Sequence, residues 1–465
     1  MGKSNLVTNL YLAVVSQDEK GETVVRINNY QGNVTPAAKV MFGPKDPVNV
    51  VLVLEIKNKL YWRRPRYHTK DLTIETLATP ATFAVAANLL NPIASASPVP
   101  EARMTWYRVV PFMEHPDGRC NDPYRTLPDQ RDRRYYTNVY IESYDAHGVD
   151  VSPNFDPAHR PGPTRYHEGS ALGGAGTFGK IPGSSGLDII EYQHQIIGTE
   201  RSQVWEIDAD KDPGTYRYAV SFFYTPSGAK QELTLHTRGC PLDPDHKANA
   251  VEKVTHLRSA DYNAGISRKV TRVLRKGQRP EPYLAALEVF NNVPWIFGSS
   301  GDQTEHQTER LIGFDCADLL VGVARLVGLT KCNYVYADLL ARSGHDNTGK
   351  RTTTPRVTKE ILVRCPDPLA QNPKDSPPAP LTYVSDKSVV HLKFGVDIFE
   401  GDLIFCEWQN DGKKYDHSTI IWEAGGDELS LATVVKCAHW EKGTSIKAES
   451  LQDFGETYRI RIAHW

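Results

Sequence analysis

The chain has little cysteine, no long apolar run and no excess of either charge. Seven cysteines in 465 residues, at positions 120, 240, 316, 332, 365, 406 and 437, are too sparse and irregular for a disulfide scaffold. No CxxC pair supplies zinc-ligand spacing, so neither a metal nor a cofactor is expected. No apolar segment approaches the roughly 18 residues that a membrane-spanning helix requires, and Met1 leads almost directly into strand-like sequence, without the apolar core of a signal peptide. The chain therefore reads as cytoplasmic or as the mature form of a bacterial periplasmic or secreted protein, the second being favoured. With 54 Lys and Arg against 56 Asp and Glu, there is no global attraction to nucleic acid or to an anionic membrane, and nucleic acid is not expected as a partner. Two local basic runs, Trp62–Arg66 and Ser267–Arg279, read as solvated strand or connecting faces.

What the sequence does contain, over its first 240 residues, is a series of short segments rich in β-branched and aromatic residues, set off by Gly, Pro, Asn and Asp clusters. Val48–Ile56, Arg103–Val110, Tyr135–Tyr144, Leu187–Ile197 and Tyr216–Tyr224 are the clearest. Trp106 in MTWYRV and the run Asp212, Gly214, Tyr216 in DPGTYRYAV have the look of the core tryptophan and tyrosine corner of an immunoglobulin-like sandwich. Gly169–Gly186 has many glycines but neither the lysine nor the strand-then-helix setting of a phosphate loop, and reads as a flexible loop. After about residue 241 helical spacing appears at Pro282–Asn291 and Cys316–Gly328, and strands return after a proline-rich insertion at Arg364–Pro380. The expected organisation is multidomain: an all-β, immunoglobulin-like N-terminal half and an α+β C-terminal domain. The boundaries read as residues 1–95 and 96–240 for two sandwich-like blocks that are separate or form one unit, 241–280 for a connecting segment, and 281–465 for the α+β domain.

The chemistry concentrates in the last part. Leu319, Leu320, Val323, Leu326 and Val327 form one apolar stripe, and Cys316 lies a turn earlier on the same face. Gly313 and Asp315 permit a tight, capped helix start, which puts Cys316 among the free first-turn amides, where the helix dipole favours a thiolate. The same amides suit an oxyanion. Cysteine needs a neighbouring base near neutral pH, and His417, opening the apolar strand STIIW, is the candidate. A hairpin joining Glu423 to Leu429 would set His417 opposite Val435, so His439, the candidate orienting group, requires a bulge or longer loop to stand beside it. Asp402 reads as shaping the start of its strand, and Cys332, Cys365, Cys406 and Cys437 as structural. His306 and Glu305 fall in the loop before the helix.

Taken in order, Pro294-Trp295-Ile296-Phe297-Gly298, Gly313-Phe314-Asp315-Cys316 with its helix, Gly401-Asp402-Leu403-Ile404-Phe405 and the His417 strand resemble the NlpC-type cell-wall peptidases of the papain-like superfamily. The resemblance covers roughly residues 280–465. It implies a papain-like fold with Cys316 as nucleophile, His417 as general base and His439 as third member, and a substrate cleft about Trp295, Phe297, Asp315 and Asp318. It also implies cleavage of an amide in a peptide or peptidoglycan-like substrate through a thioester. Ala317-Asp318 stands where the family usually has Ser-Gly. The stretch Cys316-Ala317-Asp318-Leu319 running to Arg325 and Gly328 also resembles transglutaminase-like proteins, which implies acyl transfer instead. A third alternative is an inactive papain-like protein whose β-domains bind a polymer, carbohydrate or protein.

Overall fold

The structure, a computed structural model, describes residues 7–21, 23–27, 41–63, 72–76, 90–92, 102–114, 135–142, 190–196, 205–226, 228–240, 251–255, 261–267, 269–291, 293, 306, 308–311, 313–330, 332–343, 353–364, 378–407, 415, 417–438, 446–454 and 457–465. The chain is β-rich, with several sheets and few helices, and divides into two compact units, Met1–Lys276 and Gly277–Trp465.

The first unit contains two seven-stranded sheets. Val7–Gln17 pairs antiparallel with Val48–Ile56 at the centre of one, and Gly214–Tyr224 lies between Arg103–Glu114 and Thr271–Arg275 in the other. Strand alternation turns Leu10, Leu12, Val14, Val50 and Leu52 toward Met104, Trp106, Val220 and Phe222, and these residues share one buried core. The first sheet is buried on its other face as well, by Val15, Val25, Val51, Val53 and Trp62 among others. Burial on both sides is why VNVVLVLEI is apolar at nearly every position instead of alternating.

A boundary near residue 95 does not separate two cores. Met41–Phe42, from the first block, pairs with Thr271–Arg275 in the second sheet, while Glu206–Asp208, from the second block, pairs with Val48–Ile56 in the first. The segment 241–280 is likewise more than a connection, since Thr271–Arg275 is an interior strand with Arg272 and Arg275 buried. Arg275 is held by the carbonyls of Gly43, Asp46 and Asp210, so this basic run is not a solvated face. In the other run Trp62 is buried and Arg63 is exposed. The Tyr218 hydroxyl bonds back to Asp210 in the preceding turn, accepting its N–H at 2.9 Å and donating to its carboxylate. The glycine-rich stretch 169–186 lies outside the described residues.

Among the described residues the second unit has three short α-helices, α1 (Pro282–Leu287), α2 (Cys316–Leu326) and α3 (Ala337–Ser343). Its strands are β1 (Thr354–Arg364), β2 (Pro378–Tyr383), β3 (Leu403–Glu407), β4 (His417–Glu423), β5 (Val434–Ala438), β6 (Ile446–Ser450) and β7 (Arg459–His464). They form one sheet in the order β2-β1-β7-β3-β4-β5-β6, antiparallel throughout. One sheet face carries a core of Ile361, Ile404, Cys406, Ile421, Val435, Cys437, Ile460, Ile462 and Phe454. The other receives the helices: α2 packs on β4 and β5, and α3 on β3 and β4. On that face the Arg279 guanidinium lies 4.3 Å, and the Lys436 ammonium 3.8 Å, from the Trp422 ring centroid. Strand β1 and its partner β2 flank the proline-rich insertion and are not apparent from the sequence pattern.

Candidate functional site around Cys316

Helix α2 begins at Cys316. Asp315 is the N-cap, with extended backbone angles, and its carboxylate accepts the Asp318 N–H at 2.9 Å. Phe314 anchors the approach edge-on against Phe290, with centroids 5.5 Å apart. Thr308 ties down the preceding turn by donating to the Gly313 carbonyl at 3.1 Å. In the same turn Leu311 has φ of 56°, a left-handed conformation that costs a branched residue on the order of 1–3 kcal/mol and is held by the surrounding packing. The helix is enclosed nearly all round from Ala317 to Ala324, so the apolar stripe understates its burial; Leu326 and Val327, at the end of that stripe, are only half-buried.

Cys316 itself is half-buried, and the groups at its sulfur come from Ser418 in β4. Burial pushes the Cys316 thiol up, and the Asp315 carboxylate pushes it further in the same direction. The Ser418 amide and hydroxyl oppose this, and Asp318 adds a smaller upward push. Burial and the two carboxylates thus oppose the thiolate expected from the helix start. A helix dipole contributes about half a positive charge, which desolvation and two carboxylates on the first turn outweigh.

His417 opens β4 as expected, but its imidazole lies on the other side of the sheet from α2. It pairs across the strands with Cys406, and its ring stands 5.6 Å from that of Phe454, both members of the core on the face away from the helices. The cause is the two-residue pleat. Ile421 belongs to that core, so His417 and Thr419 share its face, whereas Ser418, Ile420 and Trp422 face the helices. The adjacent residue, Ser418, thus takes the place at the sulfur that sequence reasoning gave to the histidine. Alternation counted back from Ile421 is the signal that identifies it.

The β4–β5 register also differs from the simple hairpin. Ile421 pairs with Val435 and Ile420 with Lys436, with a bulge before Glu423, because the connection runs through a long turn from Ala424 to Thr433. His417 is thus not opposite Val435, and the register brings Ala438 level with Ser418. His439 lies outside the described residues, as do Trp295 and Phe297.

Asp318, expected in the cleft, is wholly buried. Two positions beyond Cys316 on a helix of 3.6 residues per turn, it points away from the sheet, toward His306. His306 Nε2 lies 3.7 Å from Asp318 Oδ1, Nδ1 accepts the Thr308 N–H at 3.2 Å, and the ring stacks on Tyr334 at 3.6 Å. Glu309 adjoins this cluster, bonded to Arg325 and to the Tyr334 hydroxyl. Accepting at Nδ1 places the proton of a neutral ring on Nε2, facing the carboxylate. Burial lowers the His306 pKa to about 3, so the ring stays neutral. Both residues therefore brace the helix from behind and are closed to a substrate.

Asp402 does shape the start of β3: it is buried, accepts the Phe399 N–H at 2.9 Å, and contacts His464 at 2.9 Å. Cys332, Cys406 and Cys437 are buried free thiols; Cys365 lies outside the described residues. Among the described residues no cluster of three or more His, Cys, Asp or Glu side chains is arranged to hold a metal ion, and no helix is long and apolar enough to cross a membrane.

No protein-family model, no curated protein and no solved structure matches the chain.

Proposed function

We propose that Gly277–Trp465 is a papain-like thiol hydrolase that cleaves an amide bond in a peptide or peptidoglycan-like substrate through a thioester. The observation that carries this reading is Cys316 in the first turn of an eleven-residue helix laid across an antiparallel sheet, beside the histidine-led strand β4. At that position helix geometry leaves first-turn amides without intrahelical acceptors, and these can hold the oxyanion of a tetrahedral intermediate. The Cys316 sulfur would bond to the carbonyl carbon as the C–N bond breaks, the thiol proton would pass by way of a base to the departing amine, and water would then release the acid. The resemblance proposes His417 as that base and His439 as the third member that orients it. For the N-terminal unit we propose an immunoglobulin-like sandwich that binds a polymer or protein. This rests on buried Trp106 and the Tyr218 bond to Asp210, while parallel pairings such as Met41–Phe42 with Thr271–Arg275 depart from that pattern.

The orientation of His417 favours a second reading, an inactive papain-like module that acts by binding. The two separate in one experiment on the full chain: limiting iodoacetamide applied from about pH 5 to about pH 9 with mass-spectrometric mapping of the cysteines, and hydrolysis of peptidoglycan fragments, for the wild type and His417→Ala. A Cys316-selective reaction, with amide cleavage that disappears in His417→Ala, is the result expected of the hydrolase. Cysteine selectivity and cleavage that are unaffected by His417→Ala would remove His417 from the mechanism. A Cys316 no more reactive than the buried thiols, with no cleavage, would overturn the hydrolase reading.

A further inference from the structure

We infer that Ser418 is a positioning residue that stabilises the Cys316 thiolate. This deepens the hydrolase reading and rests on Cys316 being its nucleophile. Ser418 is 1% exposed on the strand face that receives α2, and the opposite parity of His417 keeps the imidazole off that face. Its Oγ is buried and makes no hydrogen bond of normal geometry to the described residues, although it lies close enough to the sulfur to favour the charged form. Its backbone N–H also acts on the sulfur. That N–H points along the sheet toward the level of Ala438, because Ile421, three residues on and of opposite parity, directs its own N–H to Asp402 in the other direction at 2.8 Å.

A buried hydroxyl without a partner is costly, on the order of 1–3 kcal/mol, and in this case it faces an atom that becomes an anion during the proposed reaction. When Cys316 loses its proton to an external base, the Ser418 hydroxyl can rotate its hydrogen toward the sulfur and act on the anion as a donor. No bond to Ser418 forms or breaks in this step. The residue sets how much thiolate exists at a given pH and where the sulfur points, and the proton acceptor is a separate group.

The test measures the rate of Cys316 alkylation by iodoacetamide, mapped by mass spectrometry, from about pH 6 to about pH 11 in the full-length wild type, Ser418→Ala and Ser418→Thr, with thermal melting of each. Loss of one charge-assisted hydrogen bond is expected to slow alkylation of Ser418→Ala about tenfold at each pH of the range, with the Thr variant close to wild type. A Ser418→Ala profile that superimposes on a reactive wild type overturns the role of Ser418 and leaves Cys316 as a nucleophile. A Thr variant that melts like the wild type yet slows as much as Ala also overturns it, and decides the matter if Ser418→Ala does not fold. A wild-type Cys316 that stays inert across the range overturns both this inference and the hydrolase reading.

Discussion

The neutral, buried His306 makes the second unit acid-sensitive in a way that can be worked out in advance. In the unfolded chain an imidazole titrates near about 6.5, whereas in the folded protein burial lowers the pKa of His306 to about 3. Above the unfolded value neither state binds the proton and the group contributes no pH dependence. As pH falls below it, the unfolded state takes up a proton that the folded state refuses, so stability is lost until the folded value is reached. At pH 5 the gap from the unfolded pKa is about 1.5 units, worth about 2 kcal/mol. For a unit of this size that is a fall in melting temperature of about 4–8 °C relative to neutral pH. Asp318 at 3.7 Å is too distant for a strong charged hydrogen bond to the ring, so desolvation dominates. The comparison is with His306→Gln, which keeps a neutral N–H donor toward Asp318 but has nothing to titrate. It loses the stack on Tyr334, costing about 1 kcal/mol at neutral pH. Melting of both proteins followed by calorimetry from about pH 7 down to about pH 5 should show the wild type losing its advantage as the pH falls. Parallel pH dependences in the two proteins would refute the assignment of this sensitivity to His306.

Two further outcomes follow from the geometry around α2. Asp315→Asn keeps a capping oxygen while removing the charge that pushes the Cys316 thiol up, so alkylation at neutral pH should accelerate; Asp315→Ala should do the same and also cost about 1 kcal/mol of stability, seen by melting. Gly322→Ala sets a favourable helix term of about 1 kcal/mol against a Cβ placed 2.5 Å from Thr308 Cγ2 and 3.4 Å from Phe290 Cζ. Overpacking of about 1–3 kcal/mol should win, and the double variant Gly322→Ala with Thr308→Ser, which removes the obstructing methyl, should recover the loss in a thermal melt.

Local signals in the sequence determined much of the second unit. The Gly313–Asp315 run defines a capped helix start, and the stripe beginning at Leu319 defines an inward-facing helix, because capping and 3.6-residue periodicity act over a few residues. The strands around Leu403 and His417 follow equally from short apolar runs. What lay beyond the sequence depends on pairing and burial. The face taken by His417 rests on the parity of β4, which is fixed by which of its neighbours the sheet core accepts; a shift of one residue exchanges His417 and Ser418. The level of β5 depends on the length of the Ala424–Thr433 turn and on a bulge, neither of which leaves a periodic trace. Exchange of strands between the two sheets of the first unit is a long-range choice that joins residues 41–42 to 274–275 and unites what composition divides near residue 95. The protonation of Cys316 and His306 was also out of reach of the sequence, since a dipole or a charged neighbour is visible there but the desolvation that outweighs it exists only once the chain has closed around the side chain.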